Sequence, residues 1–170
     1  MDEPIIDLHG DDYFMREALR QAARADEAGE VPVGAVIVRE GRIIARAFNQ
    51  VEQLKDATAH AEMLALTQAE ETAGDWRLTD CTLYATKEPC PMCAGAIVHT
   101  RLARVVFGAA GGAMNLLQFP TLNHRCEITG GIREADCRGL LQKFFARQRL
   151  SEKSEKKNGN DDPDSSGRNL

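Results

Sequence analysis

The stretch that decides the fold is Thr58-Ala59-His60-Ala61-Glu62, followed after a predicted strand by Glu88-Pro89-Cys90-Pro91-Met92-Cys93. His60 and Glu62 stand at the start of one predicted helix. Cys90 and Cys93 stand at the start of the next, which begins near Pro91 because proline is tolerated in the first turn of a helix. Two sulfurs three residues apart at a helix N-terminus lie on one side of it, where the N–H groups favour thiolate.

These two helix starts contain candidate ligands for a metal site. His60 offers an imidazole nitrogen, and Cys90 and Cys93 offer two sulfurs. Three protein ligands leave the fourth position of a tetrahedral zinc ion for water, which is typical of a catalytic site. Zinc lowers the pKa of such a water to about 7. Glu62 diverges from His60 on the helix, so it is interpreted as a proton carrier, a role worth about 10²–10⁴ in rate.

Two other interpretations of the Cys-x-x-Cys pair stay open at this point. The pair alone is also the pattern of a thioredoxin-like redox site. A structural zinc site would need a fourth ligand, and the candidates are Cys81, Cys126, Cys137 and His99. The position of His99 on its helix favours a surface or packing role. A third interpretation is a small zinc-stabilised nucleic-acid-binding module. Glu62 argues against it, because a structural zinc site does not require a nearby carboxylate that stays unbound to the metal.

Around these motifs the chain alternates strands with helices after an opening hairpin. Apolar residues at three-to-four spacing predict the helices, and β-branched apolar runs predict the strands. The predicted helices cover 11–28, 58–72, a segment starting near 91, and 134–150, and the predicted strands cover 33–38, 42–48, 81–85, 104–108 and 127–129. This order predicts an α/β fold, a three-layer α/β/α sandwich with a five-stranded mixed sheet.

Composition limits the class of protein and its surroundings. The chain has 170 residues, of which 43% are hydrophobic and 28% charged, so wholly disordered, collagen-like and disulfide-stapled proteins are excluded. No apolar run approaches the roughly 20 residues that span a bilayer. The acidic start at Met1 lacks a signal core, which predicts a cytoplasmic protein. A net charge of −5 argues against non-specific binding of nucleic acid over the whole surface, but it does not exclude a local basic face.

The composition changes after Leu150 to Ser, Lys, Asn, Asp and Gly, with almost nothing to bury. We therefore predict one domain over residues 1–150 and a disordered polar tail over residues 151–170.

The motifs resemble those of the zinc-dependent deaminases of the cytidine and deoxycytidylate deaminase superfamily. Within it, residues 11–149 are most similar to the bacterial tRNA-specific adenosine deaminases. The resemblance rests on residues 30–36, Asn49, and residues 58–62, 88–96, 104–108 and 122–125. It implies a cytidine deaminase-like fold, one Zn²⁺ per subunit and a homodimer. The implied activity is tRNA processing by RNA editing, in which the wobble adenosine of an anticodon stem-loop becomes inosine.

The resemblance also implies a role for each matching residue of the reaction centre. His60, Cys90 and Cys93 would bind zinc, and Glu62 would be catalytic. In the hydrolytic mechanism that follows, zinc-activated hydroxide attacks C6 of adenine. Glu62 protonates N1 and then the departing ammonia, and no redox cofactor is required.

Five further residues are implied to bind the substrate. Asn49 would hydrogen-bond the flipped base or its ribose, and the backbone of Ala61 would contact the purine edge. Val31 and Val33 would pack on the face of the base, and Pro89 completes this set.

One segment departs from the family pattern. The family carries an Asp-x-Lys element before the pair that matches Ala110-Gly111, whereas here Gly108-Ala109 runs almost directly into that pair. In the family this loop flanks the anticodon loop. The shortened loop therefore allows an alternative function, a zinc-dependent deaminase of free guanine, cytosine, nucleosides or single-stranded DNA.

The last helix and the shortened loop contain the candidates for RNA binding, which are His124, Arg125, Phe145, Arg147 and Arg149. Cations can follow phosphates, and an aromatic ring can stack on an unpaired base for about 1–3 kcal/mol. The alternative is that Phe144 and Phe145 are core anchors, which the residues alone favour for at least one of the two. A base must leave its stack to reach a zinc pocket, so single-stranded loops are the expected substrates.

Overall fold

The computed structural model describes residues 9–111 and 126–158 of the chain. Its helices are α1 (Asp11–Glu27), α2 (Val51–Leu54), α3 (Ala61–Ala73), α4 (Pro91–His99) and α5 (Glu134–Asn158). Its strands are β1 (Gly34–Arg39), β2 (Arg42–Phe48), β3 (Cys81–Lys87), β4 (Arg104–Ala109) and β5 (Glu127–Thr129). None of the described helices is long and apolar enough to cross a membrane.

The five described strands form one mixed sheet in the order β2-β1-β3-β4-β5. β1 is antiparallel to both β2 and β3, whereas β3, β4 and β5 run parallel to one another. The β1–β2 pair is the predicted hairpin, and Gly41 in its turn has a positive φ of 70°. The prediction of a five-stranded mixed sheet is confirmed.

Helices cover both faces of the sheet because side chains alternate between its two faces along each strand. One buried cluster joins the sheet to α3 and α4 through Ile37, Leu83, Val105, Leu66 and Ile97. The other joins it to α1 and α5 through Val36, Tyr84, Val106, Phe14 and Cys137. The α/β/α sandwich is thus confirmed.

Close packing fixes α1 against the start of β1. A Cβ on Gly34 would lie only 2.1 Å from the carbonyl oxygen of Ala18 and 2.4 Å from the nitrogen of Ala22. Only glycine fits at such a distance. The segment between α1 and β1, residues 28–33, is consequently held against the body of the protein, where it forms part of the site described below.

The helix boundaries differ from prediction at two places. The connection 49–56 contains the short helix α2, and α3 begins at Ala61 rather than Thr58. Thr58 is held instead in a turn, since Asp56 Oδ1 accepts hydrogen bonds from its backbone nitrogen at 2.8 Å and its hydroxyl at 2.7 Å.

The predicted end of the last helix at Leu150 is wrong, because α5 continues to Asn158. Residues 151–156 are exposed, so burial does not hold this extension in place. Glutamate and lysine are good helix formers, and Glu152 and Lys156 are spaced as a favourable i, i+4 pair. Residues 151–158 are therefore helical rather than disordered, and the rest of the predicted tail lies outside the described residues.

Candidate active site

Two helix starts meet on one side of the sheet. His60 is the N-cap of α3, and Cys90 is the N-cap of α4, with Pro91 in the first turn. The first turns are closed by hydrogen bonds from Leu64 to the carbonyl of His60 at 3.0 Å and from Ala94 to that of Cys90 at 2.8 Å. The backbone of each helix start thereby fixes where its side chains project.

The three predicted ligand atoms lie at the spacing of a zinc site. His60 Nδ1 is 3.6 Å from Cys90 Sγ and 3.6 Å from Cys93 Sγ. Nitrogen at about 2.0–2.1 Å and sulfur at about 2.3 Å from one tetrahedral zinc would lie about 3.5–3.6 Å apart. Within the described part of the chain, no fourth histidine, cysteine or carboxylate joins this cluster. The donor set fits zinc bound by three protein ligands, and His99 is exposed, as expected.

Burial shifts the acid–base properties of the ligands. It lowers the pKa of His60, and the positive charge of Lys87 lowers that pKa further, which favours the neutral imidazole that binds metals. Burial also raises the pKa of the Cys93 thiol, and the nearby Glu62 and Cys90 add to this effect. A divalent cation would stabilise these crowded acidic groups, because it deprotonates a coordinating thiol.

Glu62 lies beside the ligand cluster without belonging to it. Its side chain is in the first turn of α3, is only 4% exposed and is hydrogen-bonded to Cys93. Burial raises the pKa of its carboxyl. A carboxyl with a raised pKa can hold and release a proton closer to neutral pH, which suits general acid–base chemistry.

These groups open onto a pocket of about 830 Å³. Four of the predicted substrate-binding residues line it together with His60, Glu62 and Cys90: Val31, Val33, Asn49 and Ala61. Pro89 does not line the pocket. It is buried between the end of β3 and the N-cap of α4, whereas Pro91, at the first position of α4, faces the pocket. The structure therefore does not support the predicted contact of Pro89 with substrate.

Helix α5 supplies the opposite wall of the pocket. Phe144, Phe145, Gln148 and Glu152 line it. Phe144 is buried at 6% exposure, but Phe145 is 43% exposed, so one of the two phenylalanines is a core anchor and the other is available to a ligand.

The predicted RNA-binding cations are not part of the described pocket lining. Arg147 is exposed and forms an ion pair with Asp26. Arg149 is exposed, and no ion pair of its side chain is seen among the described residues. His124, Arg125 and most of the shortened loop lie outside the described residues.

Five charged residues of the pocket wall were not predicted from the sequence: Glu30, Glu52, Lys87, Glu88 and Glu152. Glu88 accepts a hydrogen bond from the backbone nitrogen of Gly111 at 2.6 Å, and Lys87 is exposed at the end of β3. Glu30 is buried at 1% exposure between Gly29 and an apolar run. An acidic residue directly before an apolar strand is the signal that would have drawn attention to Glu30.

Comparisons with known proteins agree with this geometry. The family model of MafB19-like deaminases matches residues 9–149. The tRNA-specific adenosine deaminase of Bacillus subtilis is 48% identical over 155 residues, with 87% of this chain and 96% of that protein covered.

Two solved structures are similar as well. One comes from a study of A-to-I editing by tRNA:A34 deaminases at the wobble position of transfer RNA. It has a TM-score of 0.73 and 40% identity, and covers 75% of this chain and 98% of that one. The other is a guanine deaminase from Bacillus subtilis, with a TM-score of 0.58 and 41% identity over 60% of this chain and 66% of that one.

Proposed function

The chain belongs to the MafB19-like deaminases and to the tRNA-specific adenosine deaminases. We propose that it hydrolyses adenosine to inosine at the wobble position of a tRNA anticodon loop. The observation that carries the chemistry is the site itself. Three ligand atoms are spaced for one zinc ion, and a buried acid, Glu62, lies next to them without joining them.

His60, Cys90 and Cys93 would hold the zinc ion through one nitrogen and two sulfurs. When bound, zinc polarises a water molecule and so supplies a nucleophile near neutral pH. Burial lowers the pKa of His60, which favours the neutral ring that this role needs.

Glu62 would move the protons of the reaction. Overall, a bond from water oxygen to C6 forms, the bond from C6 to the amino nitrogen breaks, and ammonia leaves. Glu62 takes one proton from water and gives it to N1, and then carries the second water proton to the departing amine. The product keeps the proton on N1 and the oxygen on C6, so no electrons are exchanged. The burial that raises the pKa of Glu62 suits both transfers.

The remaining pocket residues would hold the unstacked nucleotide. Val31 and Val33 offer apolar contacts to the base, and Asn49 and the backbone of Ala61 offer hydrogen-bonding groups. Phe145 is exposed on the opposite wall, where it is placed to stack on a neighbouring base. A base reaches such a pocket only when it leaves its stack, which agrees with a substrate in an anticodon loop.

We also propose that the enzyme works as a cytoplasmic homodimer. On α4, Ala94, Ile97 and Val98 are buried within the chain, whereas Gly95 and Ala96 keep part of their surface free. This half-exposed strip of α4 is the face proposed for the dimer. Light scattering on the purified protein should give twice the 18.7 kDa of one chain, and a single-chain mass would contradict the dimer.

The likeness to a guanine deaminase favours a second candidate, in which the same centre deaminates a free base. The hydrolysis is the same, but the substrate would lack ribose and phosphate. Cytosine, free nucleosides and single-stranded DNA belong to the same class of alternative substrates.

One assay separates these functions. Purified protein is incubated with an anticodon stem-loop that carries a wobble adenosine, and in parallel with adenosine, guanine, cytidine and a DNA stem-loop. We expect inosine in the RNA stem-loop and far slower turnover of the others. Turnover of a free base together with an unreacted stem-loop would contradict the tRNA assignment.

A further inference from the structure

A buried carboxylate lies in the wall of the substrate pocket. Glu30 is 1% exposed, and its backbone nitrogen donates to the carbonyl of Ala25 at 2.9 Å, which ties it to the end of α1. Its carboxylate accepts hydrogen bonds from three N–H groups. They come from the backbone of Gln53 at 2.7 Å, the backbone of Glu52 at 3.2 Å and Asn49 Nδ2 at 3.4 Å. Glu30 therefore joins α1, the start of α2 and a residue of the pocket wall.

This contact decides how the Asn49 amide is turned. Asn49 is 7% exposed, and its backbone nitrogen donates to the carbonyl of Val33 at 3.0 Å, so its main chain is fixed. A carboxylate can only accept, so the NH₂ group of the amide must face Glu30. The carbonyl oxygen, Oδ1, then lies on the other side.

The Oδ1 atom of Asn49 is left for the pocket. None of the described residues donates a hydrogen bond to it. In the described part of the chain, the fully enclosed side-chain nitrogen and oxygen atoms that lack a hydrogen-bond partner are Arg104 Nε and Arg133 Nε. The Oδ1 atom of Asn49 is not one of them. Asn49 lines the pocket, and with its NH₂ group turned to Glu30 the side-chain group that it can offer to a substrate there is the carbonyl oxygen.

We propose that Glu30 is a positioning residue that sets the polarity of Asn49, so that the pocket recognises a hydrogen-bond donor on the substrate nucleoside. The inference rests on the proposed function and adds a specificity to it. A nucleoside offers such a donor from two sources, the ribose 2′-hydroxyl and the amino group of the base. The 2′-hydroxyl is what distinguishes RNA from DNA at a given site.

The variant Glu30→Gln reverses this polarity at constant size. The new side chain keeps its one oxygen for the backbone N–H of Gln53, the shortest of the three hydrogen bonds. Its NH₂ group then takes the place of the oxygen that accepted from Asn49 and from the backbone of Glu52. The amide of Asn49 then rotates and presents NH₂ to the pocket. We expect kcat/KM on the stem-loop to fall about 5- to 30-fold, the effect of one misplaced hydrogen bond. The loss should lie mainly in KM, with zinc content unchanged.

The source of the donor follows from two substrates that differ only at the target sugar. If the 2′-hydroxyl is the donor, Glu30→Gln slows the ribose substrate and leaves the 2′-deoxyribose substrate unaffected. If the amino group is the donor, both substrates are slowed equally. Both results support the inference. Equal kcat/KM of Glu30→Gln and the natural protein on both substrates would overturn it.

A reciprocal exchange tests the inference even if Glu30→Gln folds poorly. Asn49→Asp alone places two carboxylates together and should lower kcat/KM. In the double variant with Glu30→Gln, the amide at position 30 donates to the carboxylate at position 49. That carboxylate still presents an acceptor oxygen to the pocket. We expect the double variant to recover to within about threefold of the natural protein, as coupled neighbours do in a double-mutant cycle.

Failure of this recovery would overturn the inference while leaving the proposed function intact. An inactive natural protein on the RNA stem-loop would instead overturn both, so the two failures are distinguishable.

Discussion

The two walls of the pocket are built in different ways. At the metal-binding wall, His60 and Cys90 are helix N-caps, and Cys93 and Glu62 are 0% and 4% exposed. At the α5 wall, Phe145 projects from the side of one helix and is 43% exposed. At the metal-binding wall, backbone turns and burial fix the positions of the side chains. At the α5 wall, the side chains project from the surface of a single helix.

This difference indicates a division of labour. Groups that transfer protons must be held within a few tenths of an ångström, which buried helix starts provide. Groups that stack on bases or follow phosphates tolerate movement, which an exposed helix face permits. Substitutions should therefore cost most activity at the metal-binding wall, and at the α5 wall they should change binding more than turnover.

The largest effect is expected for Cys93→Ser, which replaces a buried zinc ligand by a weaker one. Bound zinc should fall well below one per chain, and deamination should become undetectable. Metal analysis and the stem-loop assay provide the readouts. Cys126→Ser is the matched control, because Cys126 is only half-buried and lies outside the ligand cluster, so it should keep its zinc. A fully metallated Cys93→Ser protein would contradict the assigned ligand set.

Glu62→Ala should retain zinc and lose turnover by about 10²–10⁴-fold, the usual value of a positioned proton carrier. The control is Glu71→Ala, since Glu71 is exposed on the same helix. Single-turnover rates at saturating substrate separate this loss from weaker binding. If Glu62→Ala released the metal instead, Glu62 would be a zinc ligand, and its assignment as a proton carrier would be wrong.

At the α5 wall, Phe145→Ala should raise KM for the stem-loop about 5- to 100-fold with little change in Tm, because stacking on a base is worth about 1–3 kcal/mol. Phe144→Ala should instead lower the free energy of unfolding by about 3 kcal/mol, the cost of removing a buried ring. Thermal unfolding and steady-state kinetics distinguish the two variants. If both variants changed KM and the free energy of unfolding equally, the contrast between a buried and an exposed phenylalanine would be wrong.

The smallest effect is expected at the exposed arginines of α5. Arg149→Ala should weaken stem-loop binding and reduce the slope of log K against log salt by about 1, as the loss of one phosphate contact does. Arg147 is engaged by Asp26, so Arg147→Ala should change this slope less. Binding titrations at several salt concentrations give both values. An unchanged slope for Arg149→Ala would contradict a phosphate contact at this end of α5.

The metal-binding wall could be predicted from sequence because its parts are contiguous. His60 and Glu62 are two residues apart, Cys90 and Cys93 are three apart, and each pair starts a helix. The fold followed from the same local signals, since the hairpin, the mixed sheet and the α/β/α layers agree with the alternation of apolar runs.

The rest of the site depends on contacts between distant segments. Glu30 and Asn49 are 19 residues apart, and they meet only because β1 and β2 pair and α1 packs on Gly34. The end of α5 was missed for a different reason. A polar segment such as residues 151–158 can stay helical on local propensity without burying anything, which composition alone does not reveal.

X-ray absorption on the purified, active protein tests the zinc centre most directly. The expected spectrum is that of zinc bound by two sulfurs at about 2.3 Å, one imidazole nitrogen at about 2.0–2.1 Å and one oxygen from water. A spectrum with four protein ligands, or a protein that deaminates the stem-loop without bound metal, would contradict the account.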